Sequence, residues 1–276
     1  LNTGSATGLA GGATGRITSV ENIIGYVFDD TLTGNSGANT FRGLGGNDTL
    51  TGLGGNDVYI FEDGFGVDSI VEAAGGGTDR LDFSAVTNSL TLNINSASLT
   101  GGYSGNTITL NGLTAEVLLG SAVDDTFVFT AGGSFNGTIN GSTGNDTLDY
   151  NLYTSGVTVN LATGSATGTQ GVSNLENLIG SSQADTLTGD HNNNVITGGA
   201  GNDTLSGLDG DDLYLFSNGY GVDTINEAAL GGDDTMDFTA VTQPMSMLVT
   251  DTTIQVIYGT NNASHTGIHI EHFLGA

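Results

Sequence analysis

An all-β, right-handed parallel solenoid is the fold this sequence predicts, and three observations predict it. A nine-residue unit repeats without a gap from residue 25 to 60 and again from 180 to 215. Each unit follows a Gly- and Asn-rich turn with a short strand centred on a large apolar residue. Helix signals are nearly absent from a chain with 47 Gly in 276 residues; only Glu72-Ala73-Ala74 and Glu227-Ala228-Ala229 suggest a turn of helix. One nonad cannot bury its own apolar residue, so the units must wind and stack.

The first cassette reads GYVFDDTLT from Gly25, GNSGANTFR from Gly34, GLGGNDTLT from Gly43 and GLGGNDVYI from Gly52. The second reads GSSQADTLT from Gly180, GDHNNNVIT from Gly189, GGAGNDTLS from Gly198 and GLDGDDLYL from Gly207. A turn this tight needs positive φ, which Gly adopts freely and Asn or Asp less readily. In a strand such as Thr49-Leu50-Thr51 the side chains alternate, so the eighth residues (Leu32, Phe41, Leu50, Tyr59; Leu187, Ile196, Leu205, Tyr214) point inward as a narrow core. The threonines flanking them form small outward ladders, Thr31 and Thr33 over Thr49 and Thr51, and Thr186 and Thr188 over Thr204 and Ser206.

This pattern resembles the glycine- and aspartate-rich nonapeptide of the RTX family, calcium-binding repeats of secreted and bacterial cell-surface proteins. The resemblance implies a β-roll in which two nonads make one coil, so that equivalent loops lie eighteen residues apart. Asp30 then pairs with Asp48, Asn39 with Asp57, Asp185 with Asp203 and Asn194 with Asp212. Carboxylates about 5 Å apart on adjacent coils repel unless a cation separates them. Calcium suits the position, since it takes six to eight oxygens in loose geometry and accepts backbone carbonyls. By the resemblance, several Ca2+ ions are held by sixth-position Asp and Gly-loop carbonyls. Asn39 and Asn194 depart from Asp, and Phe28 and Gln183 from the fourth-position Gly, so the first loop of each cassette should bind weakly or only through Asp30 and Asp185. Asp68, Asp79, Asp223 and Asp234, in the glycine loops of the wider coils that follow, are second-rank ligands or Asx-turn residues.

A longer repeat contains the nonads. Val20 to Gly25 matches Leu175 to Gly180 at an offset of 155, which holds to Val86 and Val241 and again relates Glu116-Val117-Leu118-Leu119-Gly120 to Glu271-His272-Phe273-Leu274-Gly275. Residues 1 to 8 match 161 to 168 instead, placing five extra residues around Leu9 to Thr14. A shorter unit opens at Gly77, Gly144 and Gly232 and leads each time into alternating strands. Between the cassettes a reduced copy, GSAVDDTFV from Gly120 and GSTGNDTLD from Gly141, carries Asp125 and Asp146 and reads as a spacer. The expected organisation is a first solenoid repeat over 1–143 and a second over 144–276, in one continuous rod.

The chain carries 30 acidic residues against 3 basic, a formal net charge of -27, which disfavours nucleic acid and anionic membrane surfaces as partners. The acids are not blocked as in a disordered tail; they recur singly within an apolar repeat, so folding should depend on cation binding. With no Cys, disulfides and thiolate metal sites are excluded, and no apolar run reaches membrane-spanning length. No nucleophile elbow or His-Glu-x-x-His motif is present. His265, His269 and His272 cluster near the end, but the last two fall on opposite faces of one strand.

The expectation is a calcium-stabilised structural or adhesive element without catalysis, extracellular or on the bacterial surface and exported by type I secretion: an adhesin, surface-layer or filament subunit. Beginning at Leu1 without a signal peptide, the chain reads as mature, excised or incomplete, a cut from a longer array or a filament subunit stacking head to tail on itself. The alternatives are the carboxy-terminal secretion and folding module of a type I exported enzyme, or a module binding surface glycan or ice.

Overall fold

The computed structural model describes residues 5–7, 20–73, 76–112, 114–227, 231–249, 253–266 and 270–275. Among these there are strands and turns and no helix. The expected five-residue excess around Leu9 to Thr14, together with His269, Ala74, Ala228 and Ala229, lies outside the described residues. The chain forms two compact units, Leu1–Phe127 with Gly133–Gly144, and Val128–Gly132 with Asn145–Ala276.

In the first unit parallel strands stack on two faces. One face runs Thr31–Thr33, Thr49–Thr51, Val67–Val71, Asn106–Asn111; the other runs Asn22–Ile24, Thr40–Arg42, Val58–Glu62, Arg80–Ala85, Val117–Leu119, Thr138–Asn140. The register is that of a two-nonad coil, with Leu32 opposite Leu50 and Phe41 opposite Tyr59. Every second side chain therefore meets its counterpart on the next coil. Leu32, Leu50, Ile70 and Leu110 make one buried column, and Phe41, Tyr59, Leu81, Leu118 and Ile139 make the facing one. Burying each such side chain contributes roughly 1.5–3 kcal/mol. The Phe41 and Tyr59 rings stack with centroids 5.0 Å apart. Where the coil widens, Phe61, Phe65 and Phe83 fill the added space, Phe61 on Phe83 at 4.5 Å.

The second unit repeats this on its own core. Leu187, Leu205 and Ile225 form one column, and Ile196, Tyr214 and Met236 the other. Phe216 stacks on Phe238 at 4.4 Å in the wide coil. His265 enters this core in register with Ile225, wholly buried, its Nδ1 2.9 Å from the Ile225 carbonyl. His272 is exposed at the head of its strand.

The all-parallel expectation needs amendment: Ser5–Thr7 runs antiparallel to Thr31–Thr33 and Ser165–Ala166 to Thr158–Asn160, and two meanders depart further. Thr91–Ile94, Ser98–Tyr103 and Asn106–Asn111 form an antiparallel meander, as do Ser246–Val249, Thr253–Tyr258 and Asn261–Thr266 in the second unit. Their connections are too short to carry a chain across to a parallel strand. Asn95 closes one of them, its Oδ1 accepting the N–H groups of Ala97 and Ser98 at 2.8 and 3.0 Å. The last strand of each meander joins the parallel stack, on Val67–Val71 and on Val222–Ile225.

Candidate metal centre

The loop side of each unit is held by two ladders of side-chain-to-backbone hydrogen bonds that run in opposite directions. The fifth residue of a nonad accepts from the following coil: Asn47 N–H donates to Asp29 Oδ1 at 2.9 Å, and Val67 N–H to Asn47 Oδ1 at 3.2 Å. The sixth accepts from the preceding coil. Asp30 N–H donates to Asp48 Oδ1 at 2.8 Å, and Asp48 N–H to Asp68 Oδ1 at 3.0 Å. On the other column Asn39 N–H donates to Asp57 Oδ1 at 2.7 Å and Asp57 N–H to Asp79 Oδ1 at 2.9 Å. The second unit carries the same columns, Asp185 to Asp203 to Asp223 and Asn194 to Asp212 to Asp234, at 2.7 to 3.0 Å. The Asn-Asp dipeptide of the repeat thus serves both ladders. The sixth-position ladder is one reason that stacked acids persist at this spacing.

That ladder uses only Oδ1. What becomes of the second oxygen depends on the residue at position two. In the nonads opening at Gly25, Gly120 and Gly180, the position-two N–H groups of Tyr26, Ser121 and Ser181 donate to Oδ2 of Asp30, Asp125 and Asp185, at 2.5 to 2.6 Å. In those opening at Gly43, Gly52, Gly198 and Gly207, position two is left-handed, with Leu44 at φ 72, Leu53 at φ 76, Gly199 at φ 97 and Leu208 at φ 85. This conformation turns the N–H away. The buried Oδ2 atoms of Asp48, Asp57, Asp203 and Asp212 then have no hydrogen-bond partner among the described residues, and Asp234 Oδ2 is in the same state. An ionised oxygen buried without a partner costs several kcal/mol unless a cation faces it. A hard divalent cation is what this oxygen-only donor set fits.

The electrostatics agree. Burial, reinforced by the neighbouring carboxylates, pushes the carboxyls of Asp57 and Asp203 up to about 6, Asp68 and Asp212 to about 7 and Asp223 to about 8. Asp48, Asp79, Asp125, Asp185 and Asp234 are also raised, burial again the largest cause.

Two predicted positions are otherwise engaged. Asn39 Oδ1 accepts the Asn35 N–H at 2.8 Å while its Nδ2 donates to the Val20 carbonyl at 2.9 Å. Asn194 does the same with Asp190 N–H and the Glu176 carbonyl, at 2.8 and 3.0 Å. Each amide occupies a place where a carboxylate would meet a carbonyl oxygen. Asp146 is buried in the reduced copy, its N–H bonded to Glu176 Oε2 at 2.8 Å.

Carboxylates beyond the nonads also reach the columns. Glu116 and Glu271 accept the N–H of Asp79 and Asp234 at 2.8 and 2.9 Å, as Glu176 does for Asp146, so a glutamate continues the ladder where no aspartate follows. Glu72 and Glu227, read from sequence as parts of a helical turn, instead lie within 4.8 Å of Asp57 and Asp79 and of Asp212 and Asp234 through one oxygen each. The signal for all four was the 155-residue offset, which preserves Glu72 as Glu227 and Glu116 as Glu271.

Set beside known proteins, the chain matches the RTX calcium-binding nonapeptide repeat family over residues 24–59, 131–149, 179–214 and 188–223. No curated protein sequence matches it. Among solved structures, the extracellular lipase LipA from Serratia marcescens aligns at 17% identity over 90% of this chain, with a TM-score of 0.27. The chain spans 40% of that lipase's length. The matched residues take in the nonads of both cassettes and the open loops of Asp48, Asp57, Asp203 and Asp212, so over these residues the chain carries RTX-type nonapeptide repeats, which bind calcium at multiple sites.

Proposed function

We propose that this chain is a calcium-stabilised structural and adhesive β-roll of an extracellular bacterial protein exported by type I secretion, serving in an adhesin, surface layer or filament. The observation that carries the reading is the set of buried Asp Oδ2 atoms at 48, 57, 203, 212 and 234 that lack a hydrogen-bond partner among the described residues. In this reading those oxygens, with Asp68, Asp79, Asp146 and Asp223 on adjoining coils and the loop carbonyls, hold the ions. Asp30, Asp125 and Asp185, whose Oδ2 atoms already accept backbone N–H groups, bind more weakly, and Asn39 and Asn194 brace the loops. Bound calcium supplies the positive charge that keeps the columns deprotonated and stacked. Calcium-poor cytoplasm then leaves the chain loose for export and a calcium-rich exterior folds it, because binding free energy is folding free energy.

The adhesive element draws on the exposed apolar run Ile24, Tyr26, Val27 and Phe28, which are 57 to 70% exposed on the first cassette. Apolar surface gathered in this way suits association. Circular dichroism of the purified chain with calcium and after chelation, followed by electron microscopy, tests both elements. The expected result is β structure that appears with calcium and filaments that form only in its presence. Full β content in chelator would overturn the calcium element, and monodisperse short particles at high concentration in calcium would overturn the filament element.

A further inference from the structure

At the end of each cassette the cation-binding geometry gains a member that the nonad does not encode. Glu72 lies in the connection between Val67–Val71 and Arg80–Ala85, outside the repeat. Its Oε1, the Asp57 Oδ2 and the Tyr59 hydroxyl converge on the space above the Gly52 Cα that a Cβ would otherwise take. Tyr59 donates its hydroxyl hydrogen to Glu72, and Asp79 brings a third carboxylate oxygen within 4.8 Å of the others. Asp57 is wholly buried, and its Oδ2, aimed into this space, has no hydrogen-bond partner among the described residues.

The constellation recurs 155 residues later. Asp212, Glu227 and Asp234 offer oxygens within 4.8 Å of one another, Asp212 Oδ2 lies over Gly207, and Glu227 Oε1 accepts the Gly207 N–H at 2.8 Å. The Oδ2 atoms of the buried Asp212 and Asp234, and the Tyr214 hydroxyl, have no partner among the described residues. The 155-residue repeat thus carries the whole arrangement, Gly52, Asp57, Tyr59, Glu72 and Asp79 recurring as Gly207, Asp212, Tyr214, Glu227 and Asp234. Two buried aspartates and a half-buried glutamate around a cradle kept open by glycine are expensive without a cation, and a small Cβ would close it.

We propose that Glu72 and Glu227 each complete a three-carboxylate site for one hard divalent cation of the calcium class, with Asp57 and Asp79 in the first unit and Asp212 and Asp234 in the second, Glu72 being held by the Tyr59 hydroxyl and Glu227 by the Gly207 N–H. The proposal rests on the reading of the nonad loops as calcium sites and adds ligands that the repeat lacks. The other open loops pair two aspartates across coils. The third carboxylate makes these the two tightest sites, because calcium affinity rises with the charge of the ligand set. They fill first, where each nonad cassette gives way to the wider coils.

Terbium, which takes the place of calcium and is sensitised by nearby tyrosine, is the probe. The chain has no Trp and 8 Tyr, so emission excited through the protein reports ions beside tyrosine. Calcium-stripped wild type should show an intense first phase of terbium emission, displaced by calcium, with calorimetry in calcium resolving the same tight class. E72Q/E227Q keeps the amide oxygen as acceptor for Tyr59 and Gly207 but removes the charge. It should weaken that class roughly ten- to a hundredfold and leave the remaining ions bound. Y59F/Y214F should keep the calcium stoichiometry and lose most of the first-phase emission. Unchanged calcium affinity in E72Q/E227Q, or unchanged emission in Y59F/Y214F, would overturn the proposal while leaving the loop sites standing. Wild type that binds no calcium would overturn the underlying reading as well.

Discussion

Asp48 donates its backbone N–H to Asp68 Oδ1 at 3.0 Å, accepts the Asp30 N–H on its own Oδ1 at 2.8 Å, and keeps a buried Oδ2 with no hydrogen-bond partner among the described residues. One side chain therefore has two separable tasks. Oδ1 joins coils whether or not an ion is present, and Oδ2 is free for an ion. Asp48→Asn preserves the first task and removes the charge behind the second. Asp48→Ala removes both and leaves the Asp30 N–H buried and unmet, at a cost of about 1–3 kcal/mol. With calcium present, D48N should fold with near wild-type β content and bind one ion fewer, whereas D48A should lose that further stability. Calorimetric stoichiometry and urea denaturation separate the two; equal stability of the two variants would mean that the Oδ1 ladder contributes nothing.

Asn39 is the reverse case. Its Nδ2 donates to the Val20 carbonyl at 2.9 Å, so restoring the aspartate of the repeat would set a carboxylate oxygen against a carbonyl oxygen. Asn39→Asp should add no calcium site and should lower stability in calcium by about 1–3 kcal/mol, the cost of a broken buried hydrogen bond. Asn194→Asp should behave alike, because its Nδ2 meets the Glu176 carbonyl at 3.0 Å. A gain of one bound ion in either variant would show that these asparagines are degraded ligands.

These two residues also mark what could be read without a structure. The eighteen-residue register, the inward column from Leu32 to Leu50 and the cross-coil pairing of Asp30 with Asp48 are legible because a fixed period transmits them. The state of Oδ2 is not legible in that way. It turns on whether position two adopts positive φ, and Leu44 and Leu53 do so although leucine seldom does. Glu72 was hidden for another reason: it sits between repeats, where spacing carries no phase, and only the path of the wider coil brings it to Asp57. The antiparallel meanders escaped because an alternating strand looks the same whichever way it runs.

The pH response should change sign with calcium. In the calcium-free chain, burial raises Asp57 and Asp203 to about 6, Asp68 and Asp212 to about 7, and Asp223 to about 8, against an unfolded value of about 3.9. The folded state then holds more protons than the unfolded one. The stability these groups contribute is complete below about pH 4 and is lost as pH climbs through 6 to 8. Calcium binds the deprotonated carboxylates, so in its presence stability and apparent affinity should rise over the same window. Thermal melts followed by circular dichroism at pH 5 and pH 8, calcium-stripped and calcium-saturated, should show opposite pH trends; parallel trends would separate these acids from the ion sites.

The wide coil offers a test that involves no ion. Gly64 and Gly66 both adopt left-handed backbone, φ 81 and φ 85, yet their surroundings differ. A Cβ on Gly64 would meet nothing within 4 Å, so Gly64→Ala should cost only the conformational penalty of about 1–2 kcal/mol. A Cβ on Gly66 would drive into the Gly46 carbonyl oxygen, on the loop of the preceding coil that carries Asp48. Backbone cannot yield there without pulling Gly46 away from the Val67 N–H that donates to it at 3.2 Å. Gly66→Ala should therefore be far more destabilising than Gly64→Ala and should weaken calcium binding at Asp48, and the same contrast should hold for Gly221 and Gly219, where Gly221 faces the Gly201 carbonyl and Gly219 faces open space. Equal melting temperatures for G64A and G66A would mean that the close approach of the two coils does not constrain the loop.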